Sequence, residues 1–235
     1  MKNKFKYHFE QLNESNIHHL VYLYKQVFGT NYTLDFIKAK YGSSYTGISA
    51  QGHFAFFEEK PVAFHGAIPV IMQQGEKKEL CAQYGDAMTL SSHTGNGLFT
   101  LLGEKTDALL KTLGVRFAWG FPNQNSEYGY VNKLHWQGTE RMQAYILKIN
   151  SLSTEQILRK SKVFSKLSQS RIEKKLESLI ILKTKIHSID VNKAGGIDRS
   201  NGFYEYRSFT SNYSIKLNGT KVWIKPVGGL LVGDI

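Results

Sequence analysis

The sequence predicts a fold of the α/β (α+β) class, in which an antiparallel meander of strands is combined with helices. Two observations carry this prediction. Residues 53–90 contain three strand-like runs that are separated by the short polar turns "EEKP" and "QQGEKKE". From Leu98 the apolar residues recur at helical spacing, until Gly114 stops the pattern. A chain of 235 residues with 41% hydrophobic content is long enough to bury a core.

The residues before the meander predict one strand and two helices. The run "YHFEQL" alternates between polar and apolar residues, as a short strand does. The run "NESNIHHLVYLYKQVFG" begins with a capping-type Asn/Ser pair, continues with apolar residues at helical spacing and ends at Gly29. The run "TLDFIKAKYG" predicts a second, shorter helix that ends at Gly42.

The residues after the long helix predict a further strand, helix and strand. The run "VRFAWGF" is typical of a buried strand, and "PNQNSEYGYVNKL" predicts a helix with Pro122 near its start. The run "GTERMQAYILKI" predicts another strand. The predicted order is therefore β-α-α-β-β-β-α-β-α-β.

The loop "SSHTGNG" joins the last strand of the meander to the long helix. A helix N-terminus has unpaired backbone N–H groups and a partial positive charge from the macrodipole. Gly95 and Gly97 let the backbone approach a ligand closely, and Asn96 or Thr94 can cap the first helical turn. The spacing fits neither a dinucleotide-binding fingerprint nor a P-loop. The loop thus suits an anion such as phosphate, and a plain structural turn is the alternative.

With its flanking strands, the stretch from Gly85 to Trp136 resembles the GCN5-related N-acetyltransferase (GNAT) family. The run "GDAMTLSSHTGNGLFTLL" is similar to the family's fourth strand and its cofactor loop, of the form Q/R-x-x-G-x-G/A. The run "VRFAWGFPNQNSEYGYVNKLHWQ" is similar to the fifth strand and fourth helix. The resemblance covers residues 4–149. It implies a mixed, mostly antiparallel twisted sheet that is flanked by helices.

The resemblance also implies an activity, which is the transfer of an acetyl group from acetyl-CoA to a small amine. Another acyl-CoA is the alternative donor. The amine attacks the thioester directly, in a ternary complex. In the family, the loop amides hold the CoA pyrophosphate, and the fourth and fifth strands separate to admit the pantetheine arm. Carried onto this chain, the cofactor-binding residues are Met88, Thr89, Leu90, His93, Thr94, Gly95, Asn96, Gly97, Leu98, Asn123 and Ser126. For Asn123 and Ser126, helix capping is an equal alternative.

The reaction needs a base for the amine and an acid for the leaving thiolate. Asp86, on the strand that leads to the loop, is the first candidate for the base, with His65 and His93 behind it. A purely structural role is the alternative for each of the three residues.

Many members of the family have, at the position that Val131 occupies in this chain, a tyrosine that protonates the CoA thiolate. Tyr128 or Tyr130 would supply the proton through a shift of the helix, and otherwise the thiolate leaves unassisted. Ser92 replaces the Arg or Gln of the family loop, so the predicted phosphate site lacks that side chain.

Beyond residue 150 the composition changes. Residues 1–150 predict an acetyltransferase-like domain, residues 151–186 a basic helical connection and residues 187–235 a β-rich segment. This last segment fits the start of a second acetyltransferase-like half in a longer protein. Its final apolar strand could equally extend the first sheet or pair with another subunit, as in a homodimer.

The net charge of +11 favours anionic partners, which include nucleic acid, anionic membranes and phosphorylated small molecules. Residues 159–185 concentrate part of this charge, and we interpret them as a solvated basic helix face rather than a nucleic-acid site. No zinc-finger spacing or RNA-binding motif is present, and no metal site is predicted. The single Cys81 and the absence of a signal-peptide core predict a cytoplasmic protein. No apolar run approaches the roughly 20 residues of a membrane-spanning helix.

Three functional classes follow from these observations. The first, which we predict, is an acyl-CoA-dependent N-acyltransferase that acts on an amino sugar, a polyamine or an amino acid. The second is a transferase of tandem GNAT-like fold that takes an aminoacyl group from tRNA, and the basic segment favours it. The third is a CoA-binding module without catalytic activity, which Ser92 and Val131 favour.

Overall fold

The structure is a computed structural model that describes residues 6–141, 145–146, 174, 194–210, 212–226 and 230–234. The chain divides into two compact units. The first consists of the described residues of Met1–Gly138 and Val191–Asp198, and the second of those of Thr139–Asp190 and Arg199–Ile235. Apart from Lys174, the basic segment 159–185 lies outside the described residues. The domain boundaries at residues 150 and 186 stay predictions.

Up to the strand Ala118–Gly120, the first unit follows the predicted order of elements, and the short strand Gly196–Ile197 was not predicted. Its elements are β1 (His8–Gln11), α1 (His19–Phe28), α2 (Leu34–Tyr41), β2 (Gln51–Phe57), β3 (Lys60–Gln74), β4 (Lys77–Thr89), α3 (Leu98–Thr112), β5 (Ala118–Gly120) and β6 (Gly196–Ile197). Each helix has a sequence signal at its boundary. For example, the Thr33 hydroxyl accepts a hydrogen bond from the backbone N–H of Phe36 and caps α2, and Gly29 ends α1 in the left-handed conformation.

The sheet of the first unit has the strand order β1-β2-β3-β4-β5, and β6 pairs with β3. All pairs are antiparallel except β4 with β5, which is parallel. The sheet is thus mixed and mostly antiparallel, and it is flanked by helices. The predicted fold class is confirmed.

Successive side chains of a strand point to opposite faces of the sheet, so the side chains of β2 show which helix covers each face. Phe54 and Phe56 of β2 are buried in a cluster with side chains of α1 and α2. Ala55, which lies between them, packs instead with Leu98 and Leu102 of α3. Helices α1 and α2 therefore cover one face of the sheet, and α3 covers the other.

The helix predicted after β5 is short and partly of the π type. Residues Gly129–Lys133 form one π-helical turn, in which the N–H of Leu134 donates to the carbonyl of Gly129 at 3.0 Å. Farther on, residues 138–141 and 145–146 are not in a strand, and the remainder of the strand predicted there lies outside the described residues.

The second unit contains α4 (Asn201–Arg207) and a three-stranded antiparallel sheet of β7 (Tyr213–Leu217), β8 (Thr220–Pro226) and β9 (Leu230–Asp234). The predicted turn at "NGT" is confirmed, because Asn218 and Gly219 adopt positive φ angles of 48° and 87° between β7 and β8. The last strand pairs with β8. Within the described ranges of both units, no helix has the length and apolar character needed to cross a bilayer.

Candidate functional site

Strands β4 and β5 separate after a short stretch of pairing. Their parallel register runs only from Ala82 and Ala118 to Tyr84 and Gly120. Strand β5 ends there, whereas β4 continues to Thr89. Among the residues that the structure describes, the later part of β4 thus has no strand neighbour on the β5 side. Such an edge presents N–H and C=O groups with which a ligand can pair.

A β-bulge lies where the two strands separate. Asp86 and Ala87 of β4 together oppose the single residue His65 of β3. Asp86 adopts a φ of 62°, a left-handed conformation that is uncommon for a residue with a side chain. Because a bulge changes the direction of the side chains, it accounts for the position of Asp86 in the site.

A cavity of about 470 Å³ occupies the gap between β4 and β5. Val27 and Phe28 from the end of α1 line it, and so do Thr94 and Phe99 from the loop before α3 and the first turn of α3. Since α1 and α3 lie on opposite faces of the sheet, residues from both faces border the cavity.

The glycine loop lies at the α3 side of this cavity, which it reaches at Thr94. Gly97 is the N-cap of α3, and no side chain accepts a hydrogen bond from the first turn. The prediction that Asn96 or Thr94 caps the helix was therefore wrong. The Asn96 amide donates to the carbonyls of His93 and Thr94 at 3.0 and 3.3 Å, and the Thr94 hydroxyl donates to the carbonyl of Ser91 at 2.8 Å. Both side chains close the loop itself, and the helix N-terminus stays uncapped.

The backbone of the loop fits a bulky anion. Gly95 and Gly97 have φ angles of 77° and 76°, and a Cβ added to either would meet no described atom within 4 Å. The exposed Ser92 brings no positive charge. Backbone N–H groups and the helix dipole are therefore the positive groups that the loop offers to an anion.

His93 faces the protein interior rather than the loop's open side. Its side chain is 8% exposed, its Nδ1 atom lies 3.0 Å from the Tyr7 hydroxyl, and its ring packs against Phe57. Leu98 and Met88 are also buried, each at 2% exposure. These three residues are therefore largely inaccessible to a ligand.

Asp86 lines the cavity and is held by α2. Its two carboxylate oxygens lie 2.8 and 2.7 Å from the Lys40 ammonium, and the Tyr41 hydroxyl donates to one of them at 2.8 Å. Lys40 also donates to the Tyr24 hydroxyl at 2.6 Å. Burial, with a smaller effect of Asp86, raises the pKa of both tyrosines, which keeps them protonated as donors. Sequence reasoning missed Lys40 and Tyr41, since nothing in "KAKYG" distinguishes them from solvated helix residues.

The two candidate acids differ sharply in position. Tyr128 is 61% exposed, with the Lys133 ammonium 5.9 Å from the centre of its ring. Tyr130 is 5% exposed, lines the cavity and shares a hydrogen bond of 2.8 Å with Nε2 of the buried His65. Burial raises the pKa of Tyr130, so its hydroxyl is protonated at neutral pH. The π-helical turn, which is wider than an α-helical turn, accounts for Tyr130 rather than Val131 facing inward.

Asn123, Asn125 and Ser126 line the cavity after β5. The Asn123 side-chain oxygen accepts hydrogen bonds from the N–H groups of Asn125 and Ser126, at 3.0 and 3.1 Å. The Ser126 hydroxyl accepts in turn from the N–H of Asn123 at 3.1 Å. These residues cap the following turn and form part of the cavity wall, so the two alternatives considered for them are compatible. No cluster of three or more His, Cys, Asp or Glu that could hold a metal occurs in the described ranges.

The buried His65 predicts a pH dependence of stability. Burial lowers its pKa to about 3, whereas a histidine in an unfolded chain has a pKa of about 6.5. Below about pH 6.5 the unfolded state takes up a proton that the folded state does not. The stabilisation that the neutral, buried His65 allows is therefore fully present above about pH 6.5 and is lost as the pH falls toward 3. From about pH 7.5 to about pH 5.5, we expect His65 to lower the free energy of unfolding by about 1.4 kcal/mol.

Urea unfolding at these two pH values measures the effect. In the His65→Gln variant, the difference in the free energy of unfolding between the two pH values should be smaller by that amount. A His135→Gln variant, changed at an exposed histidine, should behave like the unmodified chain. An equal pH difference in the unmodified chain and the His65 variant would contradict the expectation.

Comparisons with known proteins give likenesses of fold. No family model and no curated protein matches the sequence. Similar solved structures include an acetyltransferase from Trypanosoma brucei, with 14% identity, 60% of this chain and 100% of that chain covered, and a TM-score of 0.46. An aminoglycoside N-acetyltransferase in complex with CoA is 15% identical, with 63% of this chain and 99% of that chain covered, and a TM-score of 0.49. A GNAT family acetyltransferase from Staphylococcus aureus is 13% identical, with 60% of this chain and 98% of that chain covered, and a TM-score of 0.43.

Proposed function

We propose that this protein is an acyl-CoA-dependent N-acyltransferase that moves an acetyl group from acetyl-CoA to a small amine in a ternary complex. The observation that carries the proposal is the cavity between the separating ends of β4 and β5, which residues from both faces of the sheet border. A cavity of this kind gives a donor and an acceptor access from different sides to one meeting point. Direct transfer needs this proximity of the reacting groups.

The donor side of the proposal is supported by the glycine loop and the free edge of β4. The loop provides backbone N–H groups for the pyrophosphate, and the positive φ angles of Gly95 and Gly97 leave its backbone accessible. The pantetheine arm contains amide groups, which can pair with backbone N–H and C=O groups of β4 beyond its pairing with β5, as far as Thr89. When bound, acetyl-CoA supplies an activated thioester carbonyl.

We assign the proton transfers to two residues of the cavity wall. The amine attacks the thioester carbonyl, and its proton passes to Asp86, whose carboxylate Lys40 and Tyr41 hold in place. As the carbon–sulfur bond breaks, Tyr130 donates its proton to the sulfur. His65, which is 0% exposed, keeps the Tyr130 hydroxyl oriented by the bond of 2.8 Å. A cytoplasmic location and a homodimer stay predictions from the sequence.

Calorimetric titration of acetyl-CoA and of free CoA into the purified chain tests the donor half. We expect binding that Gly97→Ala weakens by about tenfold, because the added Cβ would stand where the phosphate approaches. The matched control is Gly114→Ala. Gly97 and Gly114 lie just outside opposite ends of α3, both have a φ of 76°, and a Cβ added to either would meet no described atom within 4 Å.

The two variants should lose similar stability, about 1 kcal/mol, because alanine is strained to a similar extent at both positions. Only Gly97→Ala should weaken CoA binding. Equal affinities in the two variants would remove the loop from the binding site. Absence of binding by the unmodified chain would contradict the proposal, and tRNA would then be the next ligand to titrate.

A further inference from the structure

Two exposed phenylalanines line the cavity. Phe28 is 50% exposed and Phe121 is 63% exposed. Exposed aromatic rings that border one cavity mark a ligand-binding surface more often than isolated exposed residues do. From this pair of rings and the charge balance of the cavity, we propose that the acceptor is an aromatic monoamine of the arylalkylamine class, an inference that rests on the proposed function.

The position of Phe28 places an aromatic ring on the acceptor's route. Helix α1 covers the face of the sheet opposite α3, and on that face Val27 and Phe28 line the cavity. Phe28 is the last residue of α1, because Gly29 ends the helix with a φ of 65°. The ring of Tyr24, centred 5.9 Å from that of Phe28, supports it from the preceding turn. An aromatic acceptor can therefore stack on a preformed surface.

The charge balance of the cavity favours a single amino group. Asp86 is the charged side chain among the described residues that line the cavity, and Lys40 lies 2.7 Å from it. A polyamine or an aminoglycoside carries several positive charges and needs several carboxylates, which this wall does not supply within the described ranges. Because Lys40 already compensates the Asp86 charge, the lining offers no surplus of negative charge for several ammonium groups, whereas a single amino group needs no further carboxylate.

The part of the wall on the α1 side is apolar. Val27 and Phe28 have no hydrogen-bonding groups in their side chains, so an aromatic body gains from leaving water at this part of the surface. Hydrogen-bonding side chains line the cavity elsewhere, for example at Asn123, Asn125 and Ser126 after β5.

Titration of 2-phenylethylamine and of spermidine, with and without saturating CoA, tests the inference. We expect 2-phenylethylamine to bind more tightly than spermidine, and Phe28→Ala and Phe121→Ala each to weaken it by about tenfold. The controls are Tyr22→Ala, an exposed aromatic on α1, and Phe117→Ala, an exposed phenylalanine before β5 that packs on Trp119. Neither control should change the affinity.

The outcomes separate this inference from the proposed function. If CoA binds but 2-phenylethylamine does not, or spermidine binds more tightly, the aromatic class is overturned and the donor half stands. If the control variants weaken binding as much as Phe28→Ala and Phe121→Ala do, the two phenylalanines are not the recognition surface, and the inference also fails. Binding of 2-phenylethylamine that depends on Phe28 without any CoA binding would support the aromatic surface and contradict the acyltransferase.

Discussion

The Lys40→Met variant is expected to lower the free energy of unfolding by about 3 kcal/mol, which is the largest change in stability that we predict. The Lys40 and Asp86 side chains are only 20% and 16% exposed, and their charged atoms are 2.7 Å apart. Removal of the ammonium leaves the Asp86 carboxylate partly buried, without its cation and fixed on the bulge at a φ of 62°. Denaturant unfolding near neutral pH measures the loss.

Lys77→Met is the matched control for this prediction. The Lys77 ammonium lies 2.7 Å from Glu79, the same distance as in the Lys40 pair, but the Lys77 side chain is 71% exposed. An exposed pair contributes less than about 1 kcal/mol, so this variant should unfold nearly as the unmodified chain does. Adding Asp86→Asn to Lys40→Met should recover part of the stability, because no unpaired charge is left. Equal losses in the two lysine variants would show that burial of the Lys40 pair is unimportant.

The Tyr130→Phe variant is expected to lower the rate of acetyl transfer by about a hundredfold or more, the effect of removing a general acid. The change removes the hydroxyl that lies 2.8 Å from His65 and faces the cavity, and it retains the aromatic ring. Release of the CoA thiol during acetylation of the acceptor measures the rate. Affinity for acetyl-CoA, measured separately by titration, should change little, so the loss should appear in kcat rather than in binding.

Tyr128→Phe removes the same hydroxyl from an exposed position two residues away. Its side chain is 61% exposed, so we expect normal transfer rates. If both tyrosine variants transfer acetyl groups at the unmodified rate, the thiolate leaves unassisted and Tyr130 is not the acid. A separate unfolding measurement on Tyr130→Phe is needed, because His65 loses its partner and about 1–3 kcal/mol of stability can follow.

The elements of the first unit were predictable because their signals are local. The hairpin turns, the glycines that end α1 and α2, and the switch from strand to helix spacing near Leu98 are all contained in short windows. The capping of α3 was predicted wrongly for a related reason. Asn96 and Thr94 are good capping residues in general, but here their hydrogen bonds go to carbonyl groups within the loop.

By itself, the sequence determined the order of strands and helices up to β5 and the position of the glycine loop, since alternation, helical periodicity and turn residues act over a few neighbouring positions. Only the tertiary structure decided how Lys40 meets Asp86, 46 residues away, and how His65 meets Tyr130, 65 residues away. Pairings of this kind depend on a bulge in β4 and a π-helical turn after β5, and both arise from packing between distant segments. Spacing along the chain carries no signal for such contacts, because the two partners lie on different elements that only the folded sheet brings together.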